Sequence, residues 1–203
     1  MRARLIKNNR WLIVLFVVAI GANANADADA DVRATEHYTI DPDHTFSSFE
    51  YNHWGLSTQR NRFDRTSGYI ALDQTAGTGE IMIEIDAASV NTGTEMFNKA
   101  LRASEFFDAE KYPKILFTST HLMFDGGSLK QVEGDLTIKD ITHTVTLEIN
   151  NFNCRFMLLY GKRACGANGF VKILRSDYHL GRFVPFVSDA VTLHIVVEAI
   201  KDY

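Results

Sequence analysis

Long apolar runs, basic clusters and metal-binding spacings are all scarce in this 203-residue chain, and each shortage removes a class of function. The longest apolar run, Trp11 to Ile20, is half the roughly 20 residues that a membrane-spanning helix needs, so no stable membrane insertion is expected. No Lys/Arg cluster is available to displace counterions from a phosphate backbone, which argues against a nucleic-acid partner, or to hold an anionic lipid surface. The seven histidines, His37, His44, His53, His121, His143, His179 and His194, form no His-x-His, His-Glu-x-x-His or Cys/His cluster, so no metal site is read. There is no Gly-x-Ser-x-Gly elbow and no Gly-rich phosphate loop, so no catalytic residue is assigned and an enzyme is not expected.

Only two cysteines occur, Cys154 and Cys165. The stretch Asn151 to Leu159 reads as a strand and Tyr160-Gly161-Lys162-Arg163 as the turn after it, so the two thiols flank a hairpin within reach of a disulfide. The competing readings, a redox pair or two metal ligands, usually show tighter Cys-x-x-Cys spacing.

At the amino terminus Arg2, Arg4, Lys7 and Arg10 precede the apolar run, and Ala22-Asn23-Ala24 and Ala24-Asn25-Ala26 follow as small-x-small sites. This is the layout of a cleavable secretory leader over residues 1–26, with the mature chain starting at Asn25 or Asp27. Removal of residues 1–26 leaves 17 Lys+Arg against 25 Asp+Glu, a net charge of −8, on 177 residues, enough for one domain with a sizeable core. Residues 27–36 are expected to be a flexible lead-in and 37–203 the folded domain. Export to an oxidising compartment, the periplasm, would favour the disulfide.

What fills the folded domain is period-two alternation punctuated by Gly, Asp and Asn. Phe49, Tyr51 and His53 alternate with polar neighbours, as do Ile81, Ile83 and Ile85, and Ile115 and Phe117. Val132, Gly134, Leu136 and Ile138 precede a predicted hairpin at Lys139 to His143, after which Val145, Leu147 and Ile149 continue the pattern. Val191, Leu193, Ile195 and Val197 form the last strand. One short helix is predicted, with Thr94 as N-cap and Met96, Phe97, Ala100 and Leu101 on one face. The pattern indicates an antiparallel all-β fold, either a sandwich, which fills its own core, or a barrel of about eight strands, which can enclose one ligand.

A resemblance chooses between them. Tyr38-Thr39-Ile40-Asp41-Pro42-Asp43-His44, His53-Trp54-Gly55-Leu56-Ser57-Thr58, Ile85 to Gly93, Leu101 to Pro113, Gly134 to Ile138 with Thr142 to Leu147, and Arg175-Ser176-Asp177-Tyr178 are similar, in order, to segments of the YceI family of secreted lipocalin-like proteins. The Cys154 and Cys165 pair resembles the disulfide-containing subset of that family. Two positions depart from the pattern: Trp54 stands where an aliphatic residue is usual, and His179 where glycine is usual.

The resemblance implies an eight-stranded antiparallel lipocalin-like barrel with a short helical segment and a long lumen that binds an isoprenoid lipid such as a polyprenyl quinone, with no other cofactor. In that register Phe49, Tyr51, His53, Ile83, Ile85 and Ile115 point inward. So do Phe117, Leu136, Ile138, Val145, Leu147, Leu193 and Ile195, with Phe97 and Leu101 added from the helix. Each of these can equally be barrel packing. His53 is placed to hydrogen-bond a quinone head group, or to be a satisfied core histidine. Two rival functions are a secreted module that binds a protein partner and an enzyme that acts on an isoprenoid. Nothing in the sequence opposes a homodimer.

Overall fold

The computed structural model describes residues 35–203; the expected leader and residues 27–34 of the lead-in lie outside them. Eleven strands and one helix follow in order. They are β1 (Glu36–Ile40), β2 (Phe46–His53), β3 (Ser57–Phe63), β4 (Thr66–Asp73), β5 (Thr78–Asp86), β6 (Val90–Asn91), α1 (Glu95–Arg102), β7 (Lys114–Asp125), β8 (Ser128–Ile138), β9 (Ile141–Met157), β10 (Lys162–Leu174) and β11 (Val187–Lys201).

The registers reduce these to eight staves. β1 and β2 both pair with β11, Ile40 opposite Ala199 and Phe46 opposite Val196, so they are one strand broken at residues 41–45. β3 and β4 continue each other across Asp64-Arg65, since β3 pairs with β2 and β4 with β1. β5 and β6, broken by a 3₁₀ turn at Ala87–Ser89, pair with β4 and β3. From there β5 pairs with β7, and β7 to β11 pair in sequence, every pair antiparallel. Because β11 returns to β1 and β2, each stave pairs with its neighbours in sequence and the sheet closes into an up-and-down barrel, with Ser57–Asn61 of β3 paired on one side only.

Alternation is what permits closure, since one face of every stave must fill the interior. In β8, Leu129, Val132, Gly134, Leu136 and Ile138 are buried, while the residues between Val132 and Ile138 are only half-buried. Gly126-Gly127, both at positive φ, joins β7 to β8, and Trp54-Gly55-Leu56, with the first two residues at φ 55° and 69°, joins β2 to β3. The predicted hairpin at residues 139–143 is shorter than expected. Ile141 already pairs with Ile138, leaving Lys139-Asp140 as a two-residue turn with Lys139 at φ 60°.

Three further boundaries differ from expectation. Glu36, placed in the lead-in, opens β1 opposite Leu72 and accepts a hydrogen bond from Lys201 Nζ, because a charged partner on β11 gives it a reason to be ordered. β9 ends at Met157, and the turn after it is residues 158–161. Thr94 is the N-cap of α1 in extended conformation, but its side chain makes no capping bond; Glu95 in the first turn and Lys99 and Arg102 in the last complement the helix dipole instead. Cys154 and Cys165 are register partners on β9 and β10, joined by a disulfide with Cα atoms 4.0 Å apart.

Candidate functional site

The barrel encloses a cavity of about 640 Å³. Its wall is the inward face of almost every stave: Phe49 and Tyr51 from β2, Ile83 and Ile85 from β5, Ile115 and Phe117 from β7. Leu136 and Ile138 of β8, Val145 and Leu147 of β9, and Leu193 and Ile195 of β11 border it too. Phe97 and Leu101 reach it from α1, together with Ala100, whereas Met96 is 72% exposed and does not. His53 stands at the rim, exposed, so it is not a core histidine.

At the far end the cavity terminates on Leu72, Leu129, Phe152 and Cys165, of which all but Phe152 are buried. The near end reaches the surface among His53, Phe97 and Phe183. Residues 92–113, between β6 and β7, contain α1, and Phe97, Leu101, Phe106 and Phe107 from this excursion border the cavity. Phe107 from it packs edge-on against Phe49 and Phe63, ring centroids 6.1 and 5.4 Å away.

The mouth is built by Arg175, which is 8% exposed. Its guanidinium donates to the carbonyls of Ser188, Val187 and Arg182, each at 2.9 Å, and to that of Leu180. Four N–H groups in a planar fork thus fold residues 180–188 around one side chain. Burial lowers its pKa from the ordinary arginine value, and the nearby Asp189 charge opposes that shift. Arg182 pairs with Glu105, linking this loop to the excursion that carries α1. Trp54 stacks on Phe186 at 4.6 Å and donates its backbone N–H to the Phe186 carbonyl.

The two departures from the resemblance are explained in part by this loop geometry. His179 has φ 55° and ψ 33°, the left-handed conformation that glycine adopts without strain, and closes the 3₁₀ turn of Arg175–Tyr178. Trp54 puts its ring on Phe186 at the rim. Tyr178, packed edge-on against His143, is 1% exposed with its hydroxyl unpartnered, and burial pushes its phenol up to about 12.

Sequence alternation overlooked the part of the wall that is polar. Gln59 and Asn61 of β3 border the cavity, yet Ser-Thr-Gln-Arg-Asn-Arg-Phe carries no apolar alternation until Phe63. Arg175 was visible only as part of a motif, not as the residue that organises the mouth. No group of three or more His, Cys, Asp or Glu side chains close enough to hold a metal occurs among the described residues, and no helix among them is long and apolar enough to cross a membrane.

The closed barrel is a fold shared with known proteins. "Protein YceI" of Escherichia coli O17:K52:H18 is 32% identical over 167 residues, 81% of this chain and 86% of that protein. The structure of BcnA from Burkholderia cenocepacia superposes with a TM-score of 0.66 at 23% identity, covering 78% of this chain and 98% of that one. A polyisoprenoid binding domain from Saccharophagus degradans superposes with a TM-score of 0.60 at 19% identity, covering 81% and 98%. Residues 38–199 match the YceI-like domain, nearly the whole described barrel, and the chain belongs to the YceI-like family.

Proposed function

We propose that this protein is an exported, non-catalytic carrier that encloses one long isoprenoid lipid in its lumen. The observation that carries the reading is the cavity itself, about 640 Å³ and walled on nearly every stave by Phe, Ile, Leu and Val. That volume lies within the range of small-molecule sites, roughly 300–1,000 Å³. A prenyl tail is almost wholly hydrocarbon, and each CH₂ removed from water contributes about 0.8 kcal/mol, so such a wall can hold a chain without many polar contacts. The description of the Saccharophagus degradans domain as polyisoprenoid binding supports the same ligand class. The amino-terminal leader pattern and the disulfide support a periplasmic location.

The test is mass spectrometry of organic extracts from protein purified out of the periplasm. The expected result is a prenyl lipid, chemically unchanged after incubation with the protein. A chemically altered lipid would favour an enzyme. Recovery of a stoichiometric protein partner and no lipid would favour an interaction module.

A further inference from the structure

Exposed apolar side chains gather at the mouth of the lumen from three segments far apart in the chain. Trp54 and Leu56 belong to the turn between β2 and β3, Met96 and Phe97 to the first turn of α1, and Phe183 and Phe186 to the loop between β10 and β11. All six are exposed, Leu56 by 84%. They are held rather than loose: the Trp54 ring stacks on Phe186, and the Phe183 ring lies 6.4 Å from Phe106 of the excursion. Phe97 and Phe183 also border the cavity, so this collar shares side chains with the lumen wall.

Single exposed apolar residues are ordinary, but several that converge on one opening mark a surface that is covered in use. What covers it follows from the lumen and from charge. Each CH₂ of a long hydrocarbon chain holds it out of water, so its free concentration is negligible and it enters a lumen from a lipid phase in contact with the mouth. A protein seated on the same residues would stopper the opening. Arg102 is neutralised by Glu95 and Arg182 by Glu105, which leaves Lys99 as the one cation of α1 without a carboxylate partner among the described residues. Beyond residue 26 the chain carries a net charge of −8. An anionic surface therefore repels the protein as a whole, whereas zwitterionic head groups meet a nearly neutral rim, and a ring such as that of Trp54 favours their depth.

We propose that the collar seats the mouth on a zwitterionic lipid surface, so that the ligand passes between bilayer and lumen without crossing water. This rests on the lipid-carrier reading and adds to it the surface at which the lumen is loaded. Such seating is reversible and needs no spanning segment.

The experiment floats the purified protein with phosphatidylcholine vesicles on a density gradient, beside two double variants. Leu56→Asp, Met96→Asp changes the collar but no cavity-lining side chain; Leu158→Asp, Leu159→Asp changes the hairpin after β9. That hairpin is the matched control, since its leucines are 89% and 83% exposed, yet β9 runs its 17 residues from the mouth, where His143 meets Tyr178, before reaching it. All three proteins share one amino terminus, so the comparison isolates the collar. Circular dichroism establishes folding, and loading with a prenyl alcohol from detergent micelles measures lumen capacity. The parent should float, with no loss in high salt and no gain from added phosphatidylglycerol. The collar variant should bind vesicles about tenfold more weakly, the hairpin variant as the parent does, and all three should hold equal amounts of the alcohol. Brominated phosphatidylcholine should quench the parent's tryptophan emission beyond what it quenches in Trp54→Phe, a reading independent of the aspartate variants. A parent that does not float, binding that needs anionic lipid and is released by salt, loss in the hairpin variant instead of the collar variant, or a parent dimer that the collar variant splits would overturn the proposal and leave the carrier reading standing. A parent that takes up no prenyl alcohol from micelles overturns the carrier reading, and the loading role with it.

Discussion

The ring of Phe117 lies across the backbone of Gly134 on the neighbouring strand: a Cβ placed on Gly134 would be 2.5 Å from Phe117 Cζ and 2.5 Å from the Thr118 carbonyl oxygen. Glycine here is a seat for the aromatic ring, which lets Phe117 fold down against the wall instead of standing across the lumen. Gly134→Ala should destabilise by about 1–3 kcal/mol, the usual cost of overpacking, and should reduce bound lipid per folded molecule by pushing the ring inward. Denaturant melts and lipid extraction check the two effects; an unchanged midpoint would show that Phe117 relocates freely.

Phe117 is 6% exposed and borders the cavity, while Thr118, one residue on, belongs to the opposite face. Phe117→Asp would bury an unpaired carboxylate or admit water, and either outcome weakens a hydrocarbon site by roughly several kcal/mol. Thr118→Asp is the matched control and should keep the parent's lipid content. Circular dichroism establishes folding of both; lipid loss in the control but not in Phe117→Asp would mean that the lumen does not hold the ligand.

The apolar walls were legible in the sequence because inward isoleucines, phenylalanines and leucines keep strict period two, as at Ile81-Ile83-Ile85. The residues given as inward by the resemblance border the cavity, including Phe97 and Leu101 on the helix, whereas Gly134 and Met96, also picked out by periodicity, do not. What could not be read is what period two does not encode. β3 stayed hidden because its inward positions Gln59 and Asn61 are polar, so nothing distinguished its two faces. The breaks at residues 41–45, 64–65 and 87–89, which turn eleven strands into eight staves, follow from registers between separate segments, for the first of them more than a hundred residues apart in the chain, and no local pattern states them. His53 alternates correctly with Tyr51, yet it sits at the last residue of β2, where the same face opens to solvent.

The disulfide closes β9 onto β10 in the deeper half of the barrel, where Cys165 borders the cavity and Gln74 Nε2 lies 3.4 Å from Cys154 Sγ. With 11 residues of separation, its removal in Cys154→Ser, Cys165→Ser should cost about 2–3 kcal/mol in the chain-entropy account. The double variant should still fold and bind lipid, because the register of β9 and β10 extends well beyond the bridge on both sides. Thermal melts with and without reductant give the check: the parent in reductant should match the variant.

His179 holds a left-handed conformation with an exposed side chain. For a residue with a Cβ that conformation costs about 1–2 kcal/mol, part of which its native contacts offset. His179→Gly should therefore be neutral or stabilising by up to about 1 kcal/mol, and His179→Val destabilising, since β-branching adds to the strain. Midpoints of thermal unfolding decide; a marked loss with glycine would give the imidazole a role of its own at the mouth.

Alkaline pH should expose a weakness shared by two buried phenols. Tyr38 and Tyr178 are each 1% exposed, and their pKa values rise from 10.0 to about 12. For Tyr38 the cause is burial, then its hydrogen bond to the Glu36 carboxylate; for Tyr178 it is burial, then the nearby Asp177 charge. Both groups are neutral acids that the fold keeps protonated. Below pH 10 they are protonated in the folded and unfolded chain alike, and their full contribution is present. Between 10 and 12 the unfolded chain releases these protons and the folded chain retains them, so stability falls as pH rises, by on the order of 2 kcal/mol for each group across the window. Tyr178→Phe removes an ionisable group whose hydroxyl has no partner, so it should flatten part of this alkaline limb without loss of stability at neutral pH. Tyr38→Phe should flatten the limb as well, but at a neutral-pH cost of about 1 kcal/mol, because Tyr38 donates to Glu36 Oε2 at 2.5 Å where β1 meets β11. Denaturant melts from pH 7 to 12 on the parent and both variants read the slopes directly. Equal alkaline slopes in all three proteins would show that neither phenol stays protonated in the fold.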